Sequence, residues 1–139
     1  MKFEIPEHKK LVYETTFMVK WGDMDAMKHV NNAMYFKYME HARVDWFEHI
    51  DFLLLPSGHG AVIANAFCSF KRQLKYKDEV LRKMYVSGAA RATFDTWTTM
   101  ERVNEPGVIC AEGGATVIWI DTLREKAASL PEALRALVS

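Results

Sequence analysis

Two acids, Asp23 and Asp25, stand in a turn-like segment with Gly22 and Lys28, just ahead of a pair of asparagines, Asn31 and Asn32. From Asn31 onward the pattern turns helical. An acid held just before a long helix has a chemical use. The first turn of a helix presents unpaired N–H groups and the positive end of its dipole. Such donors can hold a carbonyl oxygen whose charge grows in a tetrahedral transition state, each well-placed one contributing about 3 kcal/mol. A carboxylate nearby can activate water or attack the carbonyl itself. The plainer reading is that an acid merely complements the dipole, worth about 0.3–1 kcal/mol. The residue types alone leave both readings open.

The elements that must position these groups follow from periodicity. Tyr35, Met39, Ala42, Trp46 and His49 recur at steps of four, three, four and three, with Tyr38 and Ile50 beside them. Lys37, His41, Asp45 and Glu48 form another face. This spacing predicts an amphipathic helix of about five turns, capped by an asparagine side chain that accepts from an orphan N–H. Residues 11–20, with Val12, Glu14 and Thr16 alternating against Tyr13, Thr15 and Phe17, read as a strand before it. Pro56, Ser57, Gly58 and Gly60 mark a turn after it. The apolar run 53–55 reads as a cover over the helix end or a contact between protomers.

Residues 61–76 then read as a long strand that starts apolar and turns basic at Lys71, Arg72, Lys75 and Lys77. Residues 80–88, 92–103 and 108–121 read as three more, the last two joined by an Asn104–Glu105–Pro106–Gly107 turn. Gly113 and Gly114 predict a bulge or bend inside the final strand. Pro131 predicts the start of a short terminal helix. Strand, long helix, then four strands on short turns is an α+β order, which fits a curved antiparallel sheet wrapped around one helix. Residues 1–139 read as a single domain.

The run DMDAMKHVNN, continued by Tyr35, Tyr38, Glu40, Ala42 and Arg43, resembles the signature of the 4-hydroxybenzoyl-CoA thioesterase-like branch of the hotdog fold, which includes many acyl-CoA thioesterases. The resemblance covers essentially the whole chain. It implies that Asp25, the second acid, is the catalytic carboxylate, acting as general base on water or as nucleophile. It also implies that the backbone N–H of Asn32 polarises the thioester carbonyl. The match departs at Lys28, where many relatives carry glycine and a left-handed backbone would suit it.

Around that pair, His29 in the turn and Asn31 at the cap are candidate substrate contacts, or simply structural ones. Tyr35 and Tyr38 lie where the family's helix meets the acyl pocket, although aromatic residues at helical spacing also build cores. Lys71, Arg72 and Lys75 are either a solvated edge or a set of charges for the phosphates of coenzyme A. Glu40 and Arg43 suit an ordinary surface pair or a contact with another subunit. The resemblance further implies protomers paired edge to edge, as a homodimer or homotetramer.

Composition narrows the alternatives. With 139 residues, half of them hydrophobic, the chain can bury one core. Lysine plus arginine equals aspartate plus glutamate at 18 each, so no net field favours nucleic acid. MKFEIPEHKK lacks the apolar core of a signal peptide, and no run is long enough to span a bilayer. Cys68 and Cys110 have no metal-ligand spacing and read as reduced, buried thiols. A cytoplasmic acyl-CoA thioesterase is expected, with no cofactor beyond the coenzyme A of its substrate and no metal. A non-catalytic acyl-CoA or acyl-chain binding protein on the same scaffold is the alternative. An enoyl-thioester hydratase is a third reading, disfavoured because that branch arranges its histidine and acid differently.

Overall fold

Alternating side chains build the sheet. In β3 (Glu79–Ser87), Val80, Arg82, Met84 and Val86 turn inward while Leu81, Lys83 and Tyr85 stay half-exposed. β4 (Thr93–Arg102) buries Phe94, Thr96, Thr98 and Met100 in the same rhythm. The computed structural model describes residues 3–53 and 55–139. Met1, Lys2 and Leu54 lie outside them, and with them the opening of the amino-terminal segment and the middle of the 53–55 run. Among the described residues, β3 and β4 join β1 (Lys10–Met18), β2 (His59–Phe70) and β5 (Ile109–Asp121) in one antiparallel sheet ordered β1-β3-β4-β5-β2, and β6 (Lys126–Ala127) pairs with β5. β1 and β2 are thus its edges.

The long helix α1 (Asn32–His49) packs on one face of this sheet, and a short α2 (Glu132–Val138) follows Pro131. This is the α+β hotdog arrangement. Toward the carboxyl end of α1, Ala42, Trp46 and Phe47 meet Met84, Val86, Phe94, Val117 and Trp119, closed by Leu134 and Val138 of α2. Toward its amino end, Tyr35, Tyr38 and Met39 meet Val19, Val30, Leu74, Val80, Met100 and Cys110. Each large side chain removed from water there contributes about 1.5–3 kcal/mol. Phe52 and Leu55 pack on the first cluster, so the turn after α1 does cover the helix end.

Several expectations need correction. His49 lies in the last turn of α1 and is exposed, its ring 6.0 Å from that of Tyr13; Phe47 is buried there instead. β2 ends at Phe70, not Tyr76, because the N–H groups of Lys71 and Arg72 both donate to Cys110 O (2.8 and 2.9 Å) and turn the chain out of the ladder. Gly113 and Gly114 make no bulge. They face Cys68 and Phe67 on one side and Thr98 and Trp97 on the other in unbroken register. The shifts fall at Leu11/Tyr13, Ile63/Asn65 and Met100/Glu101. What the glycines permit is close approach. A Cβ at Gly113 would run into Phe67 O and stand 2.8 Å from Met39 Sδ on α1, and one at Gly114 would stand 2.5 Å from the Trp97 ring.

The surface reading of Glu40 with Arg43 also fails. Glu40 bonds Lys37 at 3.3 Å, while Arg43 is only 9% exposed. Both cysteines are free thiols, but only Cys110 is fully buried; Cys68 is half-buried. Among the described residues no helix is long and apolar enough to cross a membrane.

Candidate active site

The segment before α1 is a tight hairpin. Asp25 N–H donates to His29 O (2.8 Å), Lys28 N–H to Asp25 O (3.0 Å), and Met24 and Val30 form an antiparallel bridge. Closing it takes a left-handed residue, and Lys28 supplies one at φ 62°. An L-residue pays about 1–2 kcal/mol for that backbone. The loop therefore keeps the turn that glycine would favour.

The two acids of the hairpin are used differently. Asp23, half-buried, accepts on Oδ2 from Lys20 N–H (3.1 Å) and from the Tyr38 phenol (2.7 Å). Its carboxylate is a structural anchor between loop and helix. Asp25 is exposed; Oδ1 accepts from Met27 N–H at 2.8 Å, which holds the side chain in an Asx turn. Its second oxygen has no partner among the described residues.

At the helix start Asn31 is the cap. Its Oδ1 accepts from Ala33 N–H (2.9 Å), its carbonyl accepts from Met34 N–H (2.8 Å), and its own N–H donates to Asp23 O (2.9 Å). These bonds consume the donors on either side of Asn32. The Asn32 N–H itself has no acceptor among the described residues, and it points along the positive end of the dipole.

A cleft of about 160 Å³ opens beside that N–H, lined by Asn32, Tyr35, Phe70, Lys71, Arg72 and Gln73. Tyr35 is buried, accepts from Leu74 N–H at 3.1 Å, and meets Phe70 edge-on at 5.0 Å. Burial pushes its phenol above the ordinary value, against the lowering effect of the Leu74 bond. Lys71 is paired with Glu112 at 2.8 Å, whereas the Arg72 side chain is exposed. Lys75 sits apart in the turn closed by Asp78, its N–H donating to Asp78 Oδ2.

Tyr38 faces the other flank of α1, in a cleft of about 540 Å³ shared with Phe17, His41, Asp45 and Arg82. Burial first, and then Asp23, drive its pKa far up. His29 contributes its carbonyl to the hairpin and is half-buried. Among the described residues no three His, Cys, Asp or Glu gather as a metal ion would require.

Sequence reasoning missed two supports. One is Asp23 as anchor. The other is Leu74, fully buried amid basic neighbours, whose carbonyl accepts from Val30 N–H at 2.9 Å and clamps the hairpin. A lone leucine inside QLKYK was the available signal.

Comparison with known proteins agrees with this architecture. The profile of the thioesterase-like superfamily matches residues 19–138. The chain is 27% identical over 129 residues to the chloroplastic acyl-acyl carrier protein thioesterase ATL3 of Arabidopsis thaliana, covering 89% of this chain and 66% of that one. It thus spans slightly less than two thirds of that relative. Among solved structures, the PA2801 protein of Pseudomonas aeruginosa is 25% identical with a TM-score of 0.88, covering 94% of this chain and all of that one. The gentisyl-coenzyme A thioesterase BH1999 (24% identity, TM-score 0.77, 91% and 98% covered) shares the fold. So does the 1,4-dihydroxy-2-naphthoyl-CoA thioesterase Slr0204 of Synechocystis (16%, 0.80, 91% and 94%).

Proposed function

The chain belongs to the thioesterase-like superfamily, and on that footing we propose that it hydrolyses acyl-CoA thioesters to a free carboxylic acid and coenzyme A. The thioester carbonyl rests at the start of α1 and accepts from Asn32 N–H. Asp25 takes a proton from the attacking water, or adds to the carbonyl itself to give a mixed anhydride that water then opens. Charge on the tetrahedral oxygen is met by the amide and the helix dipole, and the thiolate of coenzyme A leaves.

One observation carries this reading. Of two neighbouring acids, Asp23 is tied to Tyr38 and Lys20, while Asp25 keeps one oxygen open near a helix whose Asn32 donor is unspent. Arg72, with Lys71 and Lys75 nearby in sequence, offers charge for the phosphates of coenzyme A. Relatives named for thioesters of carrier protein, gentisyl-CoA and 1,4-dihydroxy-2-naphthoyl-CoA support the substrate class. The open outer edge of β2 supports an edge-to-edge homodimer as the working unit.

The test is free-thiol release from short, medium, long and aromatic acyl-CoAs by wild type and Asp25→Asn. Turnover that falls at least about a hundredfold in the variant is expected. Tight binding of acyl-CoA by both proteins with no turnover by either would replace the enzyme with a binding module.

A further inference from the structure

Arg82 on β3 is only 5% exposed and faces the flank of α1 turned away from the Asn32 cleft. Its Nη1 donates to Tyr38 O (2.7 Å), while Nε and Nη2 both donate to Thr15 Oγ1 (3.2 and 3.1 Å). Those bonds use three of the five N–H groups of a guanidinium. The rest have no acceptor within hydrogen-bond reach among the described residues. Asp45 Oδ2 stands 3.8 Å from Nη2 and acts on the charge through space. That is too far for a hydrogen bond, and the Asp45 side chain is half-exposed.

The guanidinium lies over the Phe17 ring at 4.8 Å and lines the cleft of about 540 Å³ between α1 and β1. Phe17, Met18, Met34 and Tyr38 give this cleft an apolar wall, with Lys20 and Lys37 beside it. Lys37 holds Glu40, whereas the exposed Lys20 has no ion pair among the described residues. Of the two acids in the wall, Asp23 is spent on Lys20 N–H and the Tyr38 phenol, which leaves Asp45. A space of this size holds a small ligand, and its chemistry suits an anionic head on an apolar body.

We propose that the cleft between α1 and β1 binds a free monocarboxylic acid with an apolar chain, at a site separate from the reaction cleft at Asn32. The carboxylate pairs with Arg82 and Lys20, and the chain lies against Phe17, Met18 and Met34. The planar guanidinium fork matches the two oxygens of a carboxylate. Asp45 competes for the same cation and turns into water as the acid enters. The choice of a carboxylic acid as ligand rests on the hydrolysis proposed above, which releases one; the site itself does not. Its wall includes the Tyr38–Asp23 bond that holds the hairpin of Asp25, so the occupant touches the anchor of the reaction centre.

The test is equilibrium dialysis with octanoate, octanamide and acetate. Wild type should bind octanoate. It should bind octanamide, which lacks the charge, and acetate, which lacks the chain, at least about tenfold more weakly. Arg82→Met and Lys20→Glu should each weaken octanoate binding at least about tenfold, and Asp45→Asn should tighten it. Asp25→Asn should bind as wild type does. Should circular dichroism show Arg82→Met unfolded, Lys20→Glu and Asp45→Asn decide the matter, since both positions are exposed.

No binding of octanoate at millimolar concentration, octanamide bound equally, or an affinity indifferent to Lys20→Glu and Asp45→Asn would each overturn the site. Binding lost in Asp25→Asn alone places the acid in the reaction cleft, which overturns the second site and leaves the hydrolysis standing. Octanoate bound as expected by a protein that releases no thiol from any acyl-CoA defeats the hydrolysis and keeps the site.

Discussion

Tyr38 donates its phenol proton to Asp23 Oδ2 across 2.7 Å, and that bond separates the roles of two carboxylates two residues apart. The donor comes from α1, fifteen positions along the chain. It fixes the hairpin to the helix from the side opposite the Asn32 cleft.

Replacing the two acids should therefore split activity from stability. Asp25→Asn keeps an oxygen for the Asx turn at an exposed position, so its stability should stay within about 0.5 kcal/mol while thiol release collapses. Asp23→Asn weakens two bonds at a half-buried site and should lose about 1–3 kcal/mol. Urea melts run beside the thiol assay check both. The reverse pattern, a stable but inactive Asp23→Asn with an active Asp25→Asn, would refute the assignment.

Alkaline pH reports on the same bond. Burial and then Asp23 raise the Tyr38 pKa, and burial raises that of Tyr35. The unfolded chain ionises these phenols first, near the ordinary value of 10.0. Their contribution to stability is full below that pH and drains away as pH climbs above it, because protons are then bound more by the folded state. Urea melts between neutral pH and about pH 11 should show this decline, shallower in Tyr38→Phe, which also starts from lower stability.

Alanine at Gly113 should cost about 1–3 kcal/mol or more, since its methyl meets Phe67 O and Met39 Sδ together. Thermal denaturation measures the loss. At Gly114 the obstacle is the Trp97 ring, and the ring's tethering to Ser87 Oγ through its indole N–H at 2.7 Å resists a simple swing aside. An unchanged melting temperature in both variants would count against the close packing of α1, β2 and β4 on β5.

Lys28→Gly should relieve the left-handed strain at φ 62°. The gain is about 1–2 kcal/mol, less roughly 0.5–1 kcal/mol for the freer unfolded chain. The net result is a variant as stable as wild type or slightly more so, with its thiol release intact. Lys28→Val, β-branched at the same backbone, should be destabilised. Equilibrium denaturation of the pair separates these outcomes.

Much of the fold can be read from periodicity. The α1 stripe from Tyr35 to Trp46, the Asn31 cap and the alternation of β3 and β4 are local patterns, and the structure repeats them. The limits lie where a long-range bond decides. AVIANAFCSFKRQLKY carries no glycine or proline to mark an end at Phe70, and only the capture of two successive N–H groups by Cys110 O ends the strand. Gly113 reads as a bulge because sequence does not display the α1 sulfur above it. The cleft members Asn32, Tyr35, Lys71 and Arg72 come together as a set, but Tyr38 turns to the opposite flank and Lys75 to a turn. The contrast between Asp23 and Asp25 needed the reach of Tyr38. The burial of Arg43 needed the packed fold.

The hairpin of Asp25 is wired by its own backbone, by Asn31 and Tyr38 of the helix region, and by the segment at Leu74 and Tyr76. Among the described residues none of those bonds reaches β2. The carboxylate and that strand can therefore change independently. Substitutions across positions 62–66 can thus reshape that open edge while every bond that wires the hairpin stays in place.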